Sequence, residues 1–427
     1  MDLSPWALWG PRFSSSGACW RGEKALSEQK ARQRAKFGII EHAMEWIADT
    51  ESLAQACAKL RQAEYVAVDT EFMRESTFWP QLCLIQAAGD DTEVLIDPLA
   101  EGLDLQPFYD LLTDQNVIKV FHACRQDLEI FFHEGGGIIP KPLFDSQIAA
   151  MAVGLGDSIS YDNLVRALVK VNLDKGSRFT DWSRRPLSDK QKEYALADVT
   201  HLRDLFPILR EKLAKVGREA WLAEEMKTLT DPATYEMHPE DAWKRLKLRK
   251  TTAKWLAGLK AAALWRETEA QTRDIPRSRI IKDDGLYELA HAAPTSLDDL
   301  KGLRAVPKGF ERSKPAERLI ALMTEALADP KAYAPKVDKP EASPPNLGPI
   351  IEMLKVFLKV VSDQEGVASR LIATVPDLEK LAADDNADIP ALKGWRRDVF
   401  GAEALRLKRG ELALVLENGK VEAVELE

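Results

Sequence analysis

At 427 residues the chain is too long for one ordinary domain, and two to four is the expectation. Apolar residues make up 45% and charged residues 30% of it, enough for real cores in a soluble protein, and no stretch approaches a membrane span or a secretory signal. The net charge of −9 argues weakly against nucleic acid, although a whole-chain sum hides local patches. Cys19, Cys57, Cys83 and Cys124 form no CxxC pair, so they read as reduced thiols of a cytoplasmic protein and not as a disulfide frame or a zinc site.

Residues 1–43 hold Trp6, Trp9, Trp20 and a serine run but no sustained period, and are expected to be a disordered tail or the product of a misplaced start. Met44 opens a compact unit over 44–230. Thr50 to Leu60 reads as its first helix and Val66 to Val68 as a buried strand. Gln81–Gln86 and Glu93–Asp97 follow as strands with short connections, which suit an antiparallel meander. A helix from Leu105 to Leu112, a strand from Val117 to Phe121 and a helix from Arg125 come next. Pro142–Phe144 reads as a short strand before the helix Asp145 to Val153, with Asp145 as its N-cap. Mostly helical chain then runs to about Leu213. Three strands followed by alternating elements predict a mixed α/β sheet flanked by helices.

The stretch from Lys244 to Lys282 carries twelve Lys or Arg against three acids. Trp255, Leu259 and Ala262 lie on one helical face there and read as core. Residues 236–330 are expected to form a helical module, 331–349 a proline-rich linker, and 350–427 a second, mostly helical module. Leu412–Leu416, Asn418-Gly419 and Val421–Val424 have the pattern of a hairpin. The only strongly basic segment outside the first unit precedes the linker, so if one module holds RNA it should be that one.

The chemistry is read from carboxylates. Side chains alternate along a strand, so Asp69 and Glu71 share a face at the end of a buried run. Two neighbouring carboxylates repel each other and resist desolvation unless cations lie between them. Oxygen-only ligands at this density suit Mg²⁺ or Mn²⁺. Asp127 lies in the first turns of a helix that follows a strand, where α/β folds place ligands. Tyr194 and Asp198 are four apart and share a helix face.

Taken together, Asp69, Glu71, Asp127, Asp198 and Tyr194 resemble the DEDD exonucleases of the tyrosine subclass. The resemblance to bacterial ribonuclease D is closer still, through Val68-Asp69-Thr70-Glu71-Phe72, Cys83-Leu84-Ile85-Gln86, Phe144-Asp145-Ser146-Gln147-Ile148-Ala149-Ala150 and Trp182-Ser183-Arg184-Arg185-Pro186-Leu187. Residues 236–330 resemble the helicase-and-RNase-D C-terminal (HRDC) domain through Pro276, Leu286, Leu289, Ala290, Pro294 and Leu300, and 350–427 a divergent second copy. The resemblance implies a ribonuclease-H-like α/β exonuclease domain followed by two HRDC-type domains. It implies a 3′→5′ exoribonuclease that releases 5′-mononucleotides, with precursor transfer RNA 3′ ends as substrates and no obligate protein partner. Asp69, Glu71, Asp127 and Asp198 are then the ligands of two divalent cations, and Tyr194 orients the attacking water. Thr70, Phe72, His122 and Arg185 are candidate substrate contacts: Phe72 for the terminal base, His122 for the terminal sugar, Arg185 for a phosphate. A DNA-directed exonuclease with the same carboxylates is the first alternative, and an RNA-binding protein with an inactive nuclease core the second. A dinucleotide oxidoreductase is disfavoured, since no GxGxxG follows a predicted strand.

Overall fold

A computed structural model describes residues 44–174, 176, 180–337 and 347–426. The tail expected over 1–43, and the middle of the expected linker, lie outside the described residues. The chain divides into two compact units: one takes in the described residues up to Glu71, Leu82–Asp231 and the chain after Asn346, the other Phe72–Gln81 and Pro232–Pro345.

The first unit is built on a six-stranded mixed sheet. Its elements run β1 (Glu45–Ile47), α1 (Thr50–Leu60), β2 (Tyr65–Met73), β3 (Gln81–Ala88), β4 (Glu93–Ile96), α2 (Gln106–Thr113), β5 (Ile118–Phe121), α3 (Arg125–Glu134), β6 (Leu143–Asp145) and α4 (Ser146–Ala152). The sheet order is β1-β4-β3-β2-β5-β6. β3 and β4 pair antiparallel, as their short connection requires, and β2, β5 and β6 run parallel. Strand β1 adds to the strands expected from the sequence. It is three residues long, too short for a periodic pattern to register, and it is held by parallel pairing to β4. β2 is fully buried over Val66, Ala67 and Val68, so the apolar run sits at the centre of the sheet and delivers Asp69 and Glu71 to its end.

Helices α5 (Tyr161–Leu168), α6 (Asp189–Val216) and α7 (Glu219–Leu229) complete the exonuclease part. α6 starts on a capping box between Ser188 and Gln191, which satisfies two orphan donors reciprocally and fixes the helix that carries Tyr194 and Asp198.

In the second unit α8 (Ala253–Thr272) packs against α9 (Asp283–Ala292) and α10 (Lys314–Ala328). Trp255 is core, as expected, 5% exposed and stacked on Tyr287. Gly258 allows the close approach of α8 to α9, since a Cβ there would lie 3.3 Å from the Ala290 Cα. Two expectations need correction. The linker does not begin at 331: Pro330–Tyr333 is a helical turn, and Tyr333, Ala334 and Val337 pack on this core. Much of the basic stretch is neutralised within the unit, by Lys244–Asp241 at 2.8 Å, Arg245–Glu267 at 3.3 Å, Arg249–Asp284 at 2.9 Å, Arg266–Asp283 at 2.6 Å and Arg277–Glu267 at 2.5 Å.

The chain after Asn346, which reads as a module of its own, counts instead with the exonuclease part. It holds α11 (Leu347–Glu365), α12 (Val375–Ala383), α13 (Ala402–Lys408) and the hairpin β7 (Leu412–Glu417) and β8 (Lys420–Glu425). Asn418 and Gly419 both have positive φ, 51° and 78°, the backbone that a two-residue hairpin turn needs. The docking is specific. Trp221 and Trp395 stack with centroids 4.0 Å apart and planes 9° from parallel. Buried Arg396 donates to Glu224 at 2.8 Å and also to Glu225. No helix among the described residues is long and apolar enough to cross a membrane.

Candidate active site

The end of β2, the corner between β5 and α3, and the face of α6 converge on one cavity. Asp69, Glu71 and Asp198 each offer a carboxylate oxygen, and these oxygens lie within 4.8 Å of one another. A cavity of about 370 Å³ opens beside them, lined by Asp69, His122, Tyr161, Tyr194 and Asp198 among others. Burial, then the charges of Asp198, Asp127 and Glu71, push the Asp69 carboxyl well above its usual range. Mutual repulsion of this kind is relieved by cations, and an all-oxygen donor set fits Mg²⁺ or Mn²⁺.

The fourth acid is held differently. Asp127 is 7% exposed, and its Oδ1 accepts a hydrogen bond from the Thr70 hydroxyl. Burial raises its pKa to about 7, against the opposing pull of the Thr70 bond. Asp127 is therefore a neighbour of the three-carboxylate cluster and not a member of it. Thr70 faces away from the Asp69–Glu71 side of β2 and is 6% exposed. Its hydroxyl partners an acid.

Asp145 is the N-cap of α4, as expected, and does more. Its Oδ1 accepts from Gln147 N at 2.8 Å, Ile148 N at 3.2 Å and Ala123 N at 3.1 Å, and its Oδ2 from Cys124 N at 2.8 Å. Ala123 has a φ of 57°, a left-handed conformation that a residue with a Cβ adopts at a cost. One carboxylate thus closes the β5–α3 corner that presents Asp127, engaged by four backbone N–H groups.

His122 lines the cavity with its Nδ1 2.9 Å from Ser146 Oγ, and burial holds its pKa below the ordinary value. Tyr194 lines the cavity one turn before Asp198, 6.1 Å from the Trp182 ring between centroids. Phe72 is counted with the second unit and is not among the cavity's lining residues.

Arg185 is corrected most sharply. Nε donates to Asp97 Oδ2 at 2.7 Å, and Nη2 to Asp97 Oδ1 at 2.6 Å and to the Cys83 carbonyl at 2.5 Å. Nη1 donates to the carbonyls of Trp182 at 2.8 Å and Arg184 at 2.9 Å. A guanidinium has five N–H donors, and all of them are engaged within the chain. Arg185 pins the segment before α6 to the sheet and has no donor for a phosphate.

The structure adds Tyr161 to the residues singled out from the sequence. Its hydroxyl donates to the backbone carbonyl of Asp198, and its ring meets His122 edge-on at 5.4 Å. Nothing local marks it: it reads as the first residue of an amphipathic helix after the N-cap Ser160.

Comparison with known proteins agrees with this geometry. Residues 44–214 match the 3′-5′ exonuclease family and 256–322 the HRDC domain family. The chain is 52% identical to the ribonuclease D of Nitrobacter hamburgensis over 90% of its own length and 100% of the relative's. It is 47% identical to that of Granulibacter bethesdensis, over 88% and 96%. Among solved structures it is similar to Escherichia coli RNase D, described as an exoribonuclease involved in structured RNA processing, with a TM-score of 0.74 and 29% identity over 86% of this chain and 98% of that one.

Proposed function

The chain belongs to the ribonuclease D family and is a 3′–5′ exoribonuclease, and from that premise we propose that it trims the 3′ extensions of precursor transfer RNAs, releasing 5′-mononucleotides, with two divalent cations. The observation that carries this reading is the gathering of Asp69, Glu71 and Asp198 beside Asp127 and Tyr194 at one cavity. Asp69, Glu71, Asp127 and Asp198 would hold the cations, Mg²⁺ or Mn²⁺. When bound, such a pair offsets the charge that develops on the attacking and leaving oxygens of phosphodiester hydrolysis.

The chain's own groups do the positioning. Tyr194 is too weak a base to act alone near neutral pH, with an unperturbed pKa of about 10, so its role is to orient the attacking water by a hydrogen bond. His122 is kept neutral by burial and offers a hydrogen bond to the terminal ribose. The HRDC module at 236–330 grips folded RNA through phosphates, and the module at 350–427 is a divergent second copy. The three described cysteines are buried thiols that form no disulfide, which supports a reducing, cytoplasmic setting.

The test is a transfer RNA with a 3′ trailer, incubated with Mg²⁺ or Mn²⁺, with product analysis. Stepwise release of 5′-mononucleotides until the trailer is gone is the expected result. Internal fragments, or faster digestion of the matching DNA, would overturn the proposal.

A further inference from the structure

The α4–α5 loop, residues 153–160, has two faces. On one side Ser158, Ser160, Tyr161 and Asp162 line the cavity with Asp69 and Asp198, and the Ile159 carbonyl accepts from Gln147 Nε2 at 3.1 Å. On the other side the loop and the end of α4 are fastened to the C-terminal module. The Met151 carbonyl accepts from Ala368 N at 2.9 Å, and Asp157 Oδ1 accepts from Arg370 N at 2.9 Å. Arg218 Nη1 reaches both the Ala152 carbonyl at 2.8 Å and the Gly366 carbonyl at 2.9 Å. At Gly154 the two backbones meet directly, since a Cβ there would fall 2.5 Å from the Gly366 oxygen.

We infer that the C-terminal module at 347–426 is a positioning element of the exonuclease site: by holding the 153–160 loop from behind, it sets the wall against which the RNA 3′ end is seated, with Asp157 as the side chain that transmits the hold. The loop contains no regular structure of its own: Val153, Gly154 and Leu155 donate back to α4, and beyond them Asp157 is the side chain bonded across the junction. Tyr161 follows it directly and bonds the Asp198 carbonyl, so a displaced loop moves the cavity wall and the backbone behind a metal-ligand candidate together. A misplaced wall seats the RNA 3′ end less well and costs affinity. The inference rests on the exonuclease reading of the cavity, but half of its test does not.

The experiment uses the full chain and a short unstructured oligoribonucleotide, which is too small to reach a distant binding surface. Asp157 is exposed, so Asp157→Ala leaves folding intact. Expected are faster hydrogen exchange over 153–160 and a KM raised by about tenfold, the equivalent of one charge-assisted hydrogen bond, with a smaller change in kcat. Asp157→Asn keeps an acceptor oxygen and restores both. Arg396→Gln, which loosens the docking far from the cavity, moves both readouts in the same direction. Faster exchange with unchanged kinetics would show that the wall does not seat the RNA. Unchanged exchange in Asp157→Ala would show that the module does not hold the loop, whatever the activity does. Failure of Asn to rescue would equally overturn the assignment.

Discussion

The hydroxyl of Thr70 donates to the carboxylate of Asp127, and this bond separates the fourth acid from the three that face one another. It also opposes the burial that raises the Asp127 pKa. Thr70→Val keeps the shape and removes the donor, leaving a buried acceptor short of a partner at a cost of about 1–3 kcal/mol. The acid limb of the activity profile is expected to move to higher pH, and half-saturating Mg²⁺ at pH 7 to rise by up to about tenfold. Thr70→Ser should behave as wild type. Metal titrations of activity across pH check this; an unmoved acid limb would show that Asp127 does not depend on Thr70.

The site is expected to make the metal-free protein less stable as pH rises. Asp127 titrates at about 7 when folded and near 3.9 unfolded, and the Asp69 pKa is raised as well. Between those values the unfolded chain binds fewer protons than the folded one, so stability falls as pH rises through that window and the penalty is complete above the folded value. Melting in EDTA should show this decline, less steeply in Asp127→Asn. Mn²⁺ should raise the melting temperature more at pH 8 than at pH 5.5, because only the ionised carboxylates bind it.

Asp69→Asn or Asp198→Asn should abolish nucleotide release while raising the melting temperature in EDTA by a few degrees, since each relieves repulsion within the cluster. Tyr194→Phe should slow the chemical step with little change in RNA affinity, read by single-turnover kinetics beside binding. Affinity lost at unchanged turnover would make Tyr194 a binding residue instead.

Arg185→Ala should destabilise the protein by about 3–5 kcal/mol, because it strips a buried carboxylate, Asp97, of its bidentate partner. Arg185→Lys should recover little of this, since an ammonium cannot reproduce the planar fork. RNA affinity measured well below the melting temperature should not change. A variant of wild-type stability that binds RNA poorly would return Arg185 to the substrate site.

Within the stretch from Lys244 to Lys282, the exposed cations with neither an ion pair nor a side-chain hydrogen bond among the described residues are Lys247, Lys254, Arg273, Arg279 and Lys282. Replacing these five with Gln should weaken transfer RNA binding and flatten its salt dependence, by about 0.7 to 0.9 in the log–log slope for each phosphate no longer neutralised. Replacing the paired Lys244, Arg245 and Arg249 should change the slope much less. Equal slopes for the two sets would show that pairing does not decide which charges meet RNA.

The sequence by itself determined the sheet-forming runs other than β1, the Asp145 helix cap and the identity of the acids. Each of these is written locally: an apolar triplet at Val66–Val68, an acid three residues before Ile148 at an N-cap, a tyrosine and an aspartate one helical turn apart. It also carried the family, because long motifs survive in chain order. What only the tertiary structure decided is which polar groups are already spoken for. Arg185 and Asp97 are 88 residues apart, Tyr161 and Asp198 are 37 apart, and Thr70 and Asp127 are 57 apart. A side chain's chemistry is visible in the sequence, but its spare donors and acceptors depend on partners that folding brings from elsewhere. For the same reason a terminal module that reads as separate, by composition and by the prolines before it, packs against the exonuclease. Asp157 and Arg370 are 213 residues apart, and only the folded chain brings that carboxylate to that backbone N–H.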